Sequence, residues 1–181
     1  MAARGGPPSA ETVGASDRSR GLNVDTSRGY HEPMADARAQ LNVQLIDGPL
    51  TPPRPAPAAG GGVCTFEGVT RPEIHPTHGP LEGLDYEAYR PMALRMMQEL
   101  ASEAAGRWPC HSITVHHSTG SVPVGARSVF IGVDCDHRAD AFAACRWLID
   151  TLKERIPIWK RERWRDGSTW VEGEPVVAGT P

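Results

Sequence analysis

Two lysines, Lys153 and Lys160, flank an Ile156-Pro157 step in the stretch LKERIPIWKRERW. From Lys153 to Arg165 there are six basic and two acidic residues, a local +4; the whole chain carries −3, so the remainder sums to −7. A basic spot on an acidic protein suits one anionic ligand better than a polyanion. Pro157 disfavours helical backbone in the residue before it, so a helix should stop at about Ile156. The chain can then turn back and carry Lys160 toward Lys153. Two ammonium groups held close lower each other's pKa. A lysine depressed in this way serves as nucleophile or base near neutral pH. The plainer alternative is a solvated basic strand.

A second constellation lies at the other end of the preceding helix, where His137 and Arg138 stand. Free N–H groups at a helix start attract anions, and an imidazole beside a guanidinium would grip phosphate there. The apolar residues Phe142, Cys145, Ile149, Leu152 and Ile156 recur at three- and four-residue steps. On a wheel advancing about 100° per residue, Arg138 and Lys153 fall within about 40° of Phe142, on this apolar face. Cations are rarely placed there unless they meet an anion or snorkel past a helix end. At about 1.5 Å per residue the two are separated by roughly 22 Å along the axis. If both serve one compact ligand, one of them must come from a second copy of the chain, which predicts a homodimer with the site at its interface.

Other residues offer less. GSVPVGARS echoes a phosphate-binding loop, but Ala126 stands where the lysine belongs and a strand follows. His75 and His78 in HPTH lack the further ligands that a metal site needs, so no metal is expected. Adjacent His116 and His117 point to opposite faces of a strand and cannot chelate together. Trp159, Trp164 and Trp170 read as core or interface residues rather than a stacking platform, with flanking of a flat ring the alternative for Trp159 beside Lys160. Cys64, Cys110, Cys135 and Cys145 form no C-x-x-C pair, and no secretory leader is read. They are expected to be reduced, cytoplasmic-type thiols used for packing.

The elements that must hold these groups can be read from pattern. Residues 1–40, rich in Gly, Pro, Ser and Ala, read as a disordered extension, with Met34 an alternative start. The extension carries as many acidic as basic residues, unlike a transit peptide. Strands are expected at Asn42–Ile46, Gly62–Arg71, Leu84–Arg90, Ser112–Ser118 and Arg127–Asp136, in IWKRERW and in STWVEG. GSVPVGA should turn the chain, and the proline-rich stretch from Pro49 and the segment Pro72–Gly83 should be loops. One helix should start near Pro91 and run to Arg107. The second should run from His137 to Ile156, capped by Asp136. The order β-β-β-α-β-β-α-β-β describes an α+β domain over residues 41–175, with a mostly antiparallel sheet, two main helices and a flexible tail from 176 to 181. No apolar run approaches the length of a membrane span. The net charge gives no general attraction to nucleic acid or membrane.

Taken together, GGVCTFEGVTR, LDYEAYRPMA, GSVPVGARSVFIGV, DHRADAFAACRWLIDTLKERIPIWKRE and WVEG resemble the large, catalytic subunit family of molybdopterin synthase. The resemblance runs from about Leu41 to Gly173 and implies an α/β hammerhead-like fold. It implies sulfur transfer from the C-terminal thiocarboxylate of a small ubiquitin-like partner to cyclic pyranopterin monophosphate. The product is the molybdopterin dithiolene, made without a cofactor by a heterotetramer built around a dimer of the large subunit. It matches Lys153 and Lys160 to the family's essential lysine pair. Val69, Thr70 and Arg71 match a substrate-binding segment, as do His137 with Arg138, and Arg161 with Glu162. Since sulfur arrives on the partner, no cysteine need be nucleophilic. The family's short helix near Pro49–Gly60 is replaced here by prolines, and the Pro72–Gly83 loop is particular to this chain. Two other readings stay open. One is a dimeric scaffold that binds anions without catalysis. The other is a Schiff-base lysine enzyme acting on a small carbonyl compound.

Overall fold

The computed structural model describes residues 39–53 and 58–171. The expected extension, up to residue 38, and the expected tail lie outside the described residues. So does the segment 54–57 of the proline-rich stretch; residues 49–53 and 58–60 on either side contain no helix.

The elements follow as β1 (Gln40–Asp47), β2 (Gly62–Val69), β3 (Ile74–His75), β4 (Gly79–Ala88), α1 (Arg90–Arg107), β5 (Cys110–Pro123), β6 (Arg127–Cys135), α2 (Arg138–Arg155), β7 (Ile158–Trp164) and β8 (Gly167–Trp170). The sheet order is β2-β6-β5-β4-β7-β8, with β1 also on β5 and β3 also on β4. The α+β class, the two helices and the mostly antiparallel pairing are as the sequence predicts. One pairing is not antiparallel: β1 runs parallel to β5, from Gln40 opposite Ser112 to Asp47 opposite Thr119.

β5 is the strand on which both halves of the sheet are built. Its first half, Cys110–His117, pairs with β6, and its last residues, Gly120–Pro123, pair with β4. The handover falls at Gly120, whose φ of 75° is poorly tolerated by residues with a Cβ. A Cβ there would also meet Asp47 Oδ1 at 2.6 Å. Gly120 therefore bends the strand instead of ending it. The expected turn moves from GSVP to Val124–Ala126. The segment Pro72–Gly83 likewise departs from the expected loop. Ile74 and His75 pair with Pro80 and Gly79 in a hairpin, and Nδ1 of His75 accepts the N–H groups of Thr77 and His78. These histidines shape a turn.

Both helices pack on the sheet through small residues. α1 buries Ala93, Met97, Leu100, Ala101 and Ala104; α2 buries Ala141, Ala144, Cys145, Leu148, Ile149 and Leu152. They cover Ile113, Val115, Ile131 and Val133 in one core. Four of the five apolar residues expected on the buried face of α2, Cys145, Ile149, Leu152 and Ile156, are buried, but the centre of that face lies about 60° further round, toward Ala141, Ala144 and Leu148. Phe142, on which that expectation was set, is 63% exposed, and Arg138 and Lys153 are exposed as well. The alanines decide the matter, because they let the helix backbone approach the sheet. Asp136 does not cap α2. The N-cap residue is His137, without a side-chain cap, and Asp136 Oδ1 instead lies 2.7 Å from His111 Nε2.

His116 is buried against Phe130, and its Nε2 has no hydrogen-bond partner among the described residues. Burial lowers its pKa from 6.5. The unfolded chain then binds this proton more readily than the fold does, so stability present above about pH 6.5 is lost as pH falls. In urea titrations at pH 8 and pH 5.5, His116→Leu should narrow the stability gap that the wild type shows between the two.

Candidate active site

A cleft of about 1080 Å³ opens where three segments meet: the end of β2 with Thr70 and Arg71, the last turn of α2, and β7. Ile156 leaves the helix with extended backbone, φ −84° and ψ 127°, as the following proline requires. The chain reverses, and Lys153 from α2 and Lys160 from β7 line the same cleft. The proline-driven convergence inferred from sequence is the geometry observed.

Alternation along β7 sorts its charged residues. Lys160 and Glu162 line the cleft, with Lys160 Nζ 3.5 Å from Glu162 Oε1. Arg161 points elsewhere: its Nη2 donates to Asp85 Oδ2 at 3.1 Å, and its guanidinium lies over Trp170. Arg163 joins the same carboxylate at 3.0 Å, so Asp85 ties β4 to β7 through two arginines. At the end of β2, Val69 is half-exposed and Thr70 buried. The exposed Arg71 donates from Nε to Glu73 Oε1 at 2.6 Å, and this bond with its Coulomb attraction raises the guanidinium further above its usual range. Trp159, half-exposed, stands at the cleft beside Lys160.

The cleft is close to charge-balanced in a single chain. Arg71, Lys153, Arg155 and Lys160 line it, but so do Glu67, Glu73, Glu154 and Glu162. Arg71 and Lys160 each have a carboxylate neighbour within the cleft, and Glu67 pairs with Arg127. Lys153 has no carboxylate within salt-bridge reach among the described residues. The cationic excess seen in LKERIPIWKRERW is partly spread over Asp85 and away from the cleft.

His137 and Arg138 are not in this cleft. They stand exposed at the opposite end of α2. Their position is set by a feature that sequence reasoning missed, the run Gly60-Gly61-Gly62. A Cβ on Gly60 would meet the Cys135 carbonyl oxygen at 2.1 Å, and one on Gly62 would meet the Cα of Arg138 at 2.7 Å. Asp134 accepts from the N–H groups of Ala59 and Gly60 at 2.7 and 3.1 Å. The backbone before β2 is therefore pressed against the start of α2, which only glycine allows. Tyr86, His117 and Ser128 also line the cleft, and their sequence gave no signal beyond the strand alternation that separates His117 from His116.

No cysteine lines the cleft. Burial pushes the thiols of Cys110 and Cys135 up, and burial with the neighbouring Cys64 pushes Cys145 up to about 12. Such thiols stay protonated and weakly nucleophilic at neutral pH. Their packing role agrees with the reading from sequence.

Two helices packed on a mostly antiparallel sheet, with a lysine-bearing cleft at the carboxyl end of the second, define an α+β domain. Residues 38–155 match the model of the MoaE protein family, and the chain belongs to that family. It is 45% identical over 117 residues to the molybdopterin synthase catalytic subunit of Nostoc sp., across 63% of this chain and 69% of that one. Matched stretches span 57% to 78% of the length of such relatives. A molybdopterin synthase crystal structure from Staphylococcus aureus superposes with a TM-score of 0.60 at 29% identity, covering 75% of this chain and 97% of that one. A complex of subunits 1 and 2 of molybdopterin-converting factor from Helicobacter pylori shares the fold, with a TM-score of 0.57 at 18% identity over 72% of this chain and 90% of that one.

The glycine run makes a sharp prediction. Gly62→Ala should cost about 1–3 kcal/mol, as forced overpacking does. Gly106→Ala, in helical backbone with nothing within 4 Å of the new Cβ, should gain about 0.5–1 kcal/mol. Denaturant unfolding of both variants checks the contrast.

Proposed function

We propose that this chain is the catalytic subunit of a molybdopterin synthase. It would move sulfur from the C-terminal thiocarboxylate of a small ubiquitin-like partner onto cyclic pyranopterin monophosphate, in molybdenum cofactor biosynthesis. The observation that carries the reading is the convergence of Lys153, Lys160 and Arg71 on one cleft large enough for a fused polycyclic guest and a peptide tail. Family membership supports it, as does the naming of relatives as catalytic subunits, which implies a further subunit.

In each transfer the thiocarboxylate sulfur attacks an oxygen-bearing carbon of the guest's side chain; the C–S bond forms as that carbon's C–O bond breaks, the oxygen leaving on the phosphate group or, with a proton, as water. Water then adds to the acyl carbon, the acyl–S bond breaks, and the tail leaves as a carboxylate with release of a proton. The chain's residues serve this by position and charge. Lys153, the amine without a neighbouring carboxylate, is assigned the reacting end, where it meets the tail or a covalent intermediate. Lys160, steadied by Glu162, offsets negative charge as it develops. Arg71 faces the phosphate, with Val69 and Thr70 beside it. Arg161 acts from behind, by holding β7 against Asp85.

A charge-balanced cleft would hold a phosphate and a carboxylate tail poorly. His137 and Arg138 of a second copy would supply the missing positive charge. The α2 start that carries them also exposes Phe142, an apolar side chain suited to burial between copies. We therefore assign a homodimer at the centre of a heterotetramer. No helix among the described residues is long and apolar enough to cross a membrane.

The test is reconstitution with a thiocarboxylated small partner and the pyranopterin, assayed for dithiolene. Lys153→Ala should lose at least about a hundredfold in turnover, in line with removal of one positioned electrostatic group, while still binding the partner. Cys135→Ser and Cys145→Ser should stay near wild type. Loss of partner binding in step with charge would favour a scaffold, and loss of turnover in a folded cysteine variant would overturn the assigned source of sulfur.

A further inference from the structure

Beneath the charged rim the cleft has a floor of neutral hydrogen-bonding groups, and they come from four different strands or strand ends. Thr70 follows β2, Tyr86 is on β4, His117 on β5 and Ser128 on β6, and all four line the cleft. Register explains the convergence. His117 lies opposite Val129, and Val129 lies opposite Gly68, so the three form one row across β5, β6 and β2. Gly68 has no side chain to fill the space above that row; a Cβ there would meet Val129 Cγ1 at 2.4 Å. The bulge between Gly68 and Val69 then brings Thr70 alongside.

Each group has a defined hydrogen-bonding sense. His117 is buried, and its Nδ1 lies 2.8 Å from the Ser118 carbonyl oxygen. A carbonyl only accepts, so Nδ1 carries the hydrogen. Burial lowers the His117 pKa, the Ser118 bond opposing it. The ring is therefore neutral, and Nε2 is left as an acceptor. Thr70 is 2% exposed, and its Oγ1 has no partner among the described residues. A buried hydroxyl without a partner costs roughly 1–3 kcal/mol, so a ligand group that met it would recover that cost. Burial also raises the Tyr86 phenol, with the Ser128 hydroxyl pulling the other way, so this residue is a neutral hydroxyl at neutral pH. Its ring stands edge-on to His117 with centroids 5.2 Å apart and fixes the imidazole. Trp159 supplies an apolar wall.

We infer that His117 and Thr70 form a neutral subsite for the amide-like edge of a flat nitrogen heterocycle, with Nε2 of His117 accepting its ring N–H and Oγ1 of Thr70 donating to the adjacent carbonyl. A formal charge on the guest would be badly placed here, since the surrounding groups cannot compensate it. The cleft thus sorts its guest by polarity. The anionic end stays at the rim, with Arg71, Lys153 and Lys160, and the uncharged ring edge goes to the floor. This inference rests on the sulfur-transfer reading for the identity of the guest, whose pterin ring presents an N–H beside a carbonyl. His117 and Thr70 are specificity-determining residues in this account, and Tyr86 positions His117.

Three probes separate the two layers: pterin, which has no phosphate; 3-methylpterin, in which the ring N–H is replaced; and inorganic phosphate. Binding to the full chain would be followed by pterin fluorescence, and phosphate by competition with the pyranopterin substrate. Wild type should prefer pterin over 3-methylpterin by about three- to tenfold, the worth of one net hydrogen bond. His117→Phe, which keeps a ring against Tyr86, should abolish that preference and leave phosphate competition unchanged. Thr70→Val, of nearly the same shape, should weaken pterin by a similar factor and also spare phosphate. Arg71→Ala should do the reverse. Melting curves confirm that each variant is folded, and if His117→Phe is not, Thr70→Val decides alone. Absence of pterin binding by wild type, or equal binding of the two pterins, overturns the subsite. Dithiolene formation by wild type alongside unaltered pterin binding in both variants would sink the subsite and leave the activity standing. Pterin binding that depends on His117 in a protein that forms no dithiolene would do the opposite.

Discussion

A helix of this length cannot fold back on itself, and that constraint organises everything around it. α2 has eighteen residues, about 27 Å of rigid rod. Its last turn delivers Lys153 to the cleft, while its first residues hold His137 and Arg138 far away. Within one chain the cleft carries as many acidic as basic lining residues. A site for a phosphate-bearing guest and an anionic tail needs more positive charge than that. The proposed dimer would answer both facts at once, because it would make the far end of one α2 the near wall of another copy's cleft.

The rest of the fold serves to fix the two ends of that rod. At the start, three successive glycines let the backbone before β2 lie against the first turn, and Asp134 holds the loop there. At the end, Pro157 breaks the helix and β7 returns along β4, fastened by Asp85 to Arg161 and Arg163. Beneath, alanines bring the helix close to the sheet. β5 carries the load between the halves: it pairs with β1, β6 and β4, bends at Gly120, and contributes His117 to the cleft floor. Position, more than unusual reactivity, is what this architecture supplies.

Much of this is legible in the sequence. Pro157 between two lysines announced the reversal that joins Lys153 and Lys160, since a proline's effect is local and strong. Both helices and most strands were evident from period. On α2 the expected face holds for Cys145, Ile149, Leu152 and Ile156 and fails at Phe142, because Ala141 and Ala144 draw the contact to their side. In close helix–sheet packing the small residues mark the contact, and a large exposed one can belong to an interface. Asp136 looked like a cap from its place alone, yet His111 on β5 competes for its carboxylate, and a partner across the sheet is invisible to local pattern. The Gly60–Gly62 run read as a loop because its meaning lies in a contact with residues 135–138. Arg161 could be matched to a family position, but strand alternation turns it to Asp85. The neutral floor was illegible, because its residues converge only through register.

The claim that one site is built from two copies can be put to a complementation measurement. Lys153→Ala and Arg138→Ala chains, each inactive alone, are mixed, allowed to exchange subunits, and assayed for dithiolene formation with the thiocarboxylated partner. A mixed dimer has one cleft that lacks both groups and one that keeps both. Random exchange should therefore restore about a quarter of wild-type turnover. A mixture that stays no more active than its separate components, after exchange has been verified, would contradict the account.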